Sequence, residues 1–432
     1  MDTIHSRNGR RAIALLAIVL KALAVWLFLA WPREQHMPSA ASADFAASPA
    51  VLARGAVLAR AGDCMACHTV RGGAPYAGGR LLATPFGAIA TPNITPDRAS
   101  GIGAWSADDF WRALHNGKSR DGRLLYPAFP YPNYTKVTRA DADALYAYLH
   151  ALPAVRQPNA PHQLRFPYNT QAALAGWRLL YFTPAVFAPT PTRSPEWNRG
   201  AYLVEGLGHC SACHSARNSA GASDDALGGA LLPGGAWYAP SLTAAGEAGQ
   251  QQIAVAEIGA LLHGGISSSA SVAGPMAEVV EASLQHLADA DITAMAVYLQ
   301  ALPATPRVPA QTLAPTPQLL QLKQQGRQLY DKHCVACHGA DGEGMPPHYP
   351  ALAGNRALTM ESAVNPIRLV LHGGFAPATG GNPRPYGMPP YGHLLNDAEV
   401  AALLSYLRAS WGNQAAPVSA RSVNALRGAA LD

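Results

Sequence analysis

Along this 432-residue chain, apolar positions form one long run near the start and then a helical pattern that returns three times. The run covers residues 12–31, interrupted only by Lys21, with Arg7, Arg10 and Arg11 ahead of it. Its 20 residues are enough for a helix across roughly 30 Å of hydrocarbon. They equally suit the apolar region of a signal peptide cut after Ala41-Ser42-Ala43. Under either reading the basic flank stays inside and the rest of the chain is exported. Residues 1–47 are therefore expected to be an export signal or membrane anchor with its linker.

The recurring pattern is a pair of helices. Three related closing segments start at Thr138, Ala288 and Asn396, reading TRADADALYAYLHALPA, ADADITAMAVYLQALPA and NDAEVAALLSYLRASWG. In register, Asp141, Asp291 and Glu399 fall in the first turn, where a carboxylate complements the helix dipole. Tyr148, Tyr298 and Tyr406 then share one core-side position, and Pro153 and Pro303 stop the first two helices. Three opening helices precede them, ending in RGAVLARAGD, RGAYLVEGLGH and QGRQLYDKH. An internal repeat of this kind divides the chain. The units are 48–155, 195–305 and 318–411, joined by linkers 156–194 and 306–317 and followed by a tail, 412–432. The first linker is aromatic and proline-rich, with a short helix expected near residues 170–182. It either packs two units together or presents aromatics to a partner or membrane.

Each opening helix runs into a C-x-x-C-H pentapeptide: Cys64-Met-Ala-Cys67-His68, Cys210-Ser-Ala-Cys213-His214 and Cys334-Val-Ala-Cys337-His338. Two thiols one helical turn apart can reach both vinyl groups of one porphyrin, and the adjacent histidine then serves as proximal iron ligand. Zinc needs four ligands, so two such pairs would have to converge. Here each pair already has its own histidine, and three copies at similar lead-ins argue against coincidence, with zinc or dithiol chemistry the remaining alternatives. All six cysteines lie in the pentapeptides, leaving none for a disulfide. Three covalent c haems are the expectation. The order of opening helix, haem motif, loops and closing helix resembles the small all-α cytochrome c fold, three times over.

The opposite face of an electron-transfer haem usually receives methionine. Met388 lies 388 − 338 = 50 residues after His338, and Met276 lies 276 − 214 = 62 residues after His214. Met345, Met360 and Met295 are other sulfur donors in those units, less well spaced. In the first unit, 129 − 68 = 61 residues leads to Phe129, and no methionine occurs between Met65 and Met276. The first iron is thus expected to be open, weakly ligated, or bound by another base. His115 is a candidate sixth ligand, although its counterparts His263 and His372 occur where a methionine is present. His150 and His162 are further alternatives.

Composition narrows the class. Apolar residues make up 49% of the chain and charged ones 14%, with 40 glycines and 36 prolines, as in a loop-rich globular protein. The net charge of +5 comes without a dense Lys/Arg stripe, so nucleic acid is not a partner.

The chain resembles the three-haem cytochrome c subunit of bacterial membrane-bound dehydrogenases, which serve alcohol, gluconate, sorbitol and aldehyde oxidation. The likeness rests on RAGDCMACHT, GGRLLATPFGAIATPNITPDRASGIGAWSADDFWRAL, LRFPYN, AGWRLLYF, WNRGAYLVEGLGHCSACHSARN, GPMAEVV and MPPYGHLLNDAEVAALLSYLR. It implies three cytochrome c domains carrying electrons from a catalytic subunit of pyrroloquinoline quinone, flavin or molybdenum type toward membrane ubiquinone or the respiratory chain. It also implies a place on the periplasmic side of the membrane and no substrate oxidation by this chain alone. A freestanding shuttle to a terminal oxidase and a haem enzyme using an open first haem are the rival readings.

Overall fold

The computed structural model describes residues 47–429 apart from 250, 252, 269, 306–315, 346 and 347, together with positions 17, 18 and 21. Nearly all of the expected export or anchor helix and of the 306–317 linker lies outside the described residues. Among the described residues no helix is long and apolar enough to cross a membrane.

Three helix pairs organise the chain: Pro49–Ala61 with Arg139–His150, Pro195–Tyr202 with Asp289–Gln300, and Pro317–His333 with Asp397–Leu407. Their starts are written in the sequence. Ser48, Ser194 and Thr316 cap helices that begin with proline, whose fixed φ suits the first turn. Thr138 caps one closing helix, and Asn396 forms a capping box with Glu399 on another.

Each pair crosses at a glycine. A Cβ on Gly55, Gly200 or Gly326 would stand 2.6, 2.8 or 2.7 Å from the Cβ of Tyr148, Tyr298 or Tyr406, and closer still to the carbonyl oxygen of Ala144, Ala294 or Ala402. The helices therefore touch backbone to side chain. In the first two units the preceding arginine locks the crossing. Arg54 Nε donates to Asp141 at 2.6 Å, and Arg199 grips Asp291 through two bonds of 2.7 and 2.8 Å. The first-turn carboxylates of these units thus do more than complement a dipole. Glu399 has no such arginine and only caps its own helix.

The haem motifs do not continue the opening helices. The first helix ends at Ala61, and Asp63 takes a left-handed φ of 48° before the separate turn Cys64–Cys67. In the second unit the backbone passes through a five-residue π-turn, Leu203–Leu207, before Ser211–His214. The break re-aims the cysteines away from the helix axis.

Small sheets add to the helical framework. Leu81–Thr84 pairs antiparallel with Gly87–Ala90, and Gln163–Leu164 adds a third strand. That strand fastens the first linker to the first unit. The linker then forms the expected helix, Gln171–Tyr181, whose Trp177 Nε1 donates to the Ala220 carbonyl at 2.9 Å. One face of the linker therefore does pack the first two units together. These units share a single hydrophobic core in which Leu145, Leu203, Leu207 and Met295 are fully buried. The third helix pair has its own core around Tyr330, Ile367 and Leu404. It meets the second through Asn365, which bonds both the amide and the carbonyl of Tyr238 at 2.9 and 2.7 Å. The tail is not loose chain: its helix Ala420–Arg427 buries Val423 and Leu426, and Arg427 pairs with Asp397 at 2.7 Å.

Candidate haem sites

Each pentapeptide histidine is held the same way. His68 Nδ1 bonds the Pro92 carbonyl at 2.8 Å, His214 Nδ1 that of Pro240 at 2.7 Å, and His338 Nδ1 that of Pro350 at 3.0 Å. A carbonyl can only accept, so Nδ1 carries the proton and the Nε2 lone pair is left for iron. Burial also holds all three histidines below the usual imidazole range, which keeps them neutral. The prolines lie in Pro-Asn-Ile, Pro-Ser-Leu and Pro-Ala-Leu. This Pro-x-aliphatic repeat is the sequence signal for the bond, and motif spacing does not point to it.

The six thiols are free, and burial pushes Cys64, Cys210 and Cys334 up to about 12 and Cys67 to about 11. Such thiols are poor thiolate donors. Among the described residues no three His, Cys, Asp or Glu converge as a metal would require, so the donor set suits thioether attachment to a porphyrin better than zinc. Two arginines brace the motifs from outside. Arg80 Nη1 donates to the Ala66 carbonyl, and Arg217 Nη2 donates to that of Ala212, both at 2.7 Å.

The first motif opens on a cavity of about 2730 Å³, well beyond the roughly 300–1,000 Å³ of an ordinary small-ligand pocket. Cys64, Cys67, His68, Phe129, Tyr134 and Leu149 line one end of it. Phe129 is half-buried and meets Tyr134 edge to face at 5.3 Å, and the Tyr134 hydroxyl donates to the Gly62 carbonyl at 3.0 Å. The cavity continues past Cys213 to Arg368 and Phe375 of the third unit.

The other expected residues divide. Met276 starts the helix Pro275–Ala282 and packs on the shared core; Met388 lies in the strand Gly387–Met388, paired with Gly374–Phe375, and packs on the third core. Gly373, with φ of 69°, leaves no room for a Cβ beside the Met388 carbonyl. In the third unit the His-Gly turn therefore leads directly to the strand that pairs with the methionine. His115 has a different setting. Its Nδ1 bonds the Thr135 carbonyl at 2.9 Å and its ring stacks on Trp111, while its neighbours Ala113 and Leu114 line the cavity. His162 does line the cavity, edge-on to Tyr126 at 5.1 Å.

With this geometry established, comparison with known proteins places the chain. The cytochrome c family model matches residues 52–153 and 324–411. The gluconate 2-dehydrogenase cytochrome c subunit of Pantoea cypripedii is 40% identical over 408 residues, covering 90% of this chain and 92% of that protein. The chain belongs to the family of dehydrogenase cytochrome c subunits. The alcohol dehydrogenase (quinone) cytochrome c subunit of Komagataeibacter europaeus is 38% identical over 88% of this chain and 85% of its own length. The fructose dehydrogenase cytochrome subunit of Gluconobacter japonicus is 34% identical over 94% and 88%. Members of this family are electron-transfer subunits of dehydrogenase complexes, and the chain is one of them, with a separate subunit oxidising the substrate.

The arrangement suits relayed electrons. The first unit is joined to the second motif: Asn133 Nδ2 donates to Ser211 Oγ at 2.9 Å, inside the second pentapeptide. Arg80 pairs at 2.6 Å with Glu278, on the helix that carries Met276. Lys136 and Tyr298 both grip Glu205 at 2.8 and 2.6 Å, just ahead of the second motif. These contacts hold the first unit against the segments that carry and precede the second motif.

Proposed function

We propose that the chain carries three covalent c haems in three tandem cytochrome c domains, with boundaries as the repeat sets them. Single electrons pass along them from a periplasmic dehydrogenase catalytic subunit toward membrane ubiquinone. The observation that carries the reading is the threefold histidine–proline carbonyl bond, made in the same way by the histidine of every Cys-x-x-Cys-His motif, which leaves each Nε2 free for iron. The relatives' names support the dehydrogenase partner, and the quinone-linked alcohol enzyme supports the quinone.

When bound, haem c supplies a reversible one-electron couple. Every other part is played by this chain. Cys64 and Cys67, Cys210 and Cys213, and Cys334 and Cys337 fix the three macrocycles. His68, His214 and His338 present Nε2, and Met276 and Met388 supply sulfur to the second and third sites. Phe129 occupies the methionine position of the first, so the Met/His sites are set to higher potential than that one. Because 59 mV shifts a one-electron equilibrium about tenfold, this difference gives the relay a direction. The catalytic partner is of pyrroloquinoline quinone, flavin or molybdenum type, and the complex sits on the outer face of the cytoplasmic membrane.

Pyridine haemochrome quantitation of the mature chain checks the cofactor count. Three haems per chain are expected; two or fewer in fully matured protein would sink the proposal.

A further inference from the structure

The linker 156–194 has a second face that the packing of the first two units does not use. Its helix turns Leu174 and Arg178 inward, while Phe166 and Leu180 stand 81% and 67% exposed, with Tyr181 and Val186 also in solvent. Tyr168 rests on Phe86 at 4.5 Å, so the turn between the first two strands belongs to the same surface. Arg165 donates to the Pro85 carbonyl and is held beside that pair. Phe86, Tyr168, Leu180 and Tyr181 border the cavity that His68 lines. Leu180 and Tyr181, among these exposed groups, therefore stand on the same cavity as the first haem site.

Charge selects what covers them. Between residues 156 and 194 there are four arginines and no carboxylate. Over residues 48–194, 15 Lys and Arg stand against 7 Asp, a balance of 15 − 7 = +8. Over residues 195–305 the balance is 2 − 10 = −8. Arg178 is buried, but Arg156, Arg165 and Arg193 are exposed. Aromatic and aliphatic side chains on an arginine-bearing, carboxylate-free segment match the headgroup region of an anionic bilayer, where rings lodge at the interface and basic residues are attracted to the surface. Exposed apolar groups and excess positive charge coincide at this linker.

We infer that the outer face of linker 156–194 is a peripheral docking surface for anionic lipid, which sets the entrance of the first haem site against the membrane. The inference rests on the membrane-complex reading above and adds which face meets the lipid.

The test uses the full haem-loaded chain with Leu180→Cys carrying a nitroxide, and a second preparation labelled at Leu231→Cys. Leu231 is also exposed, at 58%, but lies in the acidic unit. Each is mixed with phosphatidylglycerol/phosphatidylcholine vesicles or with phosphatidylcholine alone, and collisions with oxygen and with a nickel chelate are compared. At position 180 the label is expected to become oxygen-accessible and chelate-protected on the anionic vesicles only, while position 231 stays in water. Arg156→Gln and Arg193→Gln should each reduce the immersed fraction about fivefold. A label at 180 that stays in water on vesicles that do carry the protein overturns the inference while leaving membrane association intact. Failure of the full chain to bind any vesicle overturns that association as well. Equal immersion in phosphatidylcholine alone, or burial of the label only when the catalytic subunit is added without lipid, also contradicts it.

Discussion

Gly200→Val is expected to cost about 3 kcal/mol of stability, at the upper end of overpacking effects. A Cβ at this position would lie 2.8 Å from the Cβ of Tyr298 and inside the contact distance of the Ala294 carbonyl oxygen. Neither neighbour can yield without parting the two helices. Parting them breaks the Arg199–Asp291 pair and moves Glu205, which Tyr298 holds just ahead of the second haem motif. For a folding unit of this size the midpoint should fall by roughly 6–12 °C. Haem loading should also drop, because the second pentapeptide loses its support. Gly176→Ala is the control. It lies within the helix Gln171–Tyr181 with no atom within 4 Å of its virtual Cβ, so alanine should leave stability unchanged or raise it by up to about 1 kcal/mol. Thermal unfolding of both variants, followed in the far ultraviolet and at the haem band, measures the difference. Equal midpoints would mean that the glycine crossing does not hold the helix pair together.

The second large effect concerns the first haem site. Phe129→Met is expected to turn one haem in three from a high-spin or non-methionine signal to a low-spin, sulfur-ligated one. Its potential should rise on the order of 0.1 V, a fraction of the roughly 0.8 V that axial ligands span. The motive is twofold: Phe129 falls at the methionine spacing, and its side chain lines the same cavity as His68. A phenyl ring offers no lone pair. The exchange should be tolerated, since a half-buried ring against Tyr134 gives way to a flexible chain of comparable size. Electron paramagnetic resonance before and after substitution decides it. If the wild type already shows a bis-histidine haem, His162→Ala is the first follow-up, ahead of His115→Ala. His162 borders the cavity, whereas His115 is occupied by Thr135 and Trp111.

Much of this architecture was legible in the sequence because it repeats. The three pentapeptides, the closing helices and their tyrosines are side-chain patterns, and each appears where the spacing puts it. What escaped notice depends on backbone atoms or on distant partners. The proline carbonyls that fix the histidine tautomers are acceptors any residue possesses, so only the triplicate Pro-x-aliphatic phrase could have flagged them. The glycines at the crossings sat in plain view in Arg-Gly-Ala and Gln-Gly-Arg, yet their role needs the facing helix. The Arg54–Asp141 and Arg199–Asp291 pairs join residues roughly 90 positions apart, beyond any local rule. That the first two units share one core, while the third keeps its own, likewise follows from long-range packing. The all-α expectation missed the short strands because two-residue ladders such as Gly374–Phe375 with Gly387–Met388 leave no alternation to read.

The central claim is that this chain conducts electrons it does not itself extract. It is tested most directly by anaerobic reduction of the full chain with and without its co-purified catalytic subunit. With the complex, addition of the dehydrogenase's substrate should reduce all three haems and then a soluble quinone analogue, while the isolated chain with the same substrate stays oxidised. Substrate-dependent reduction of the isolated, contaminant-free chain, or haems that stay oxidised in an active complex, would contradict the account.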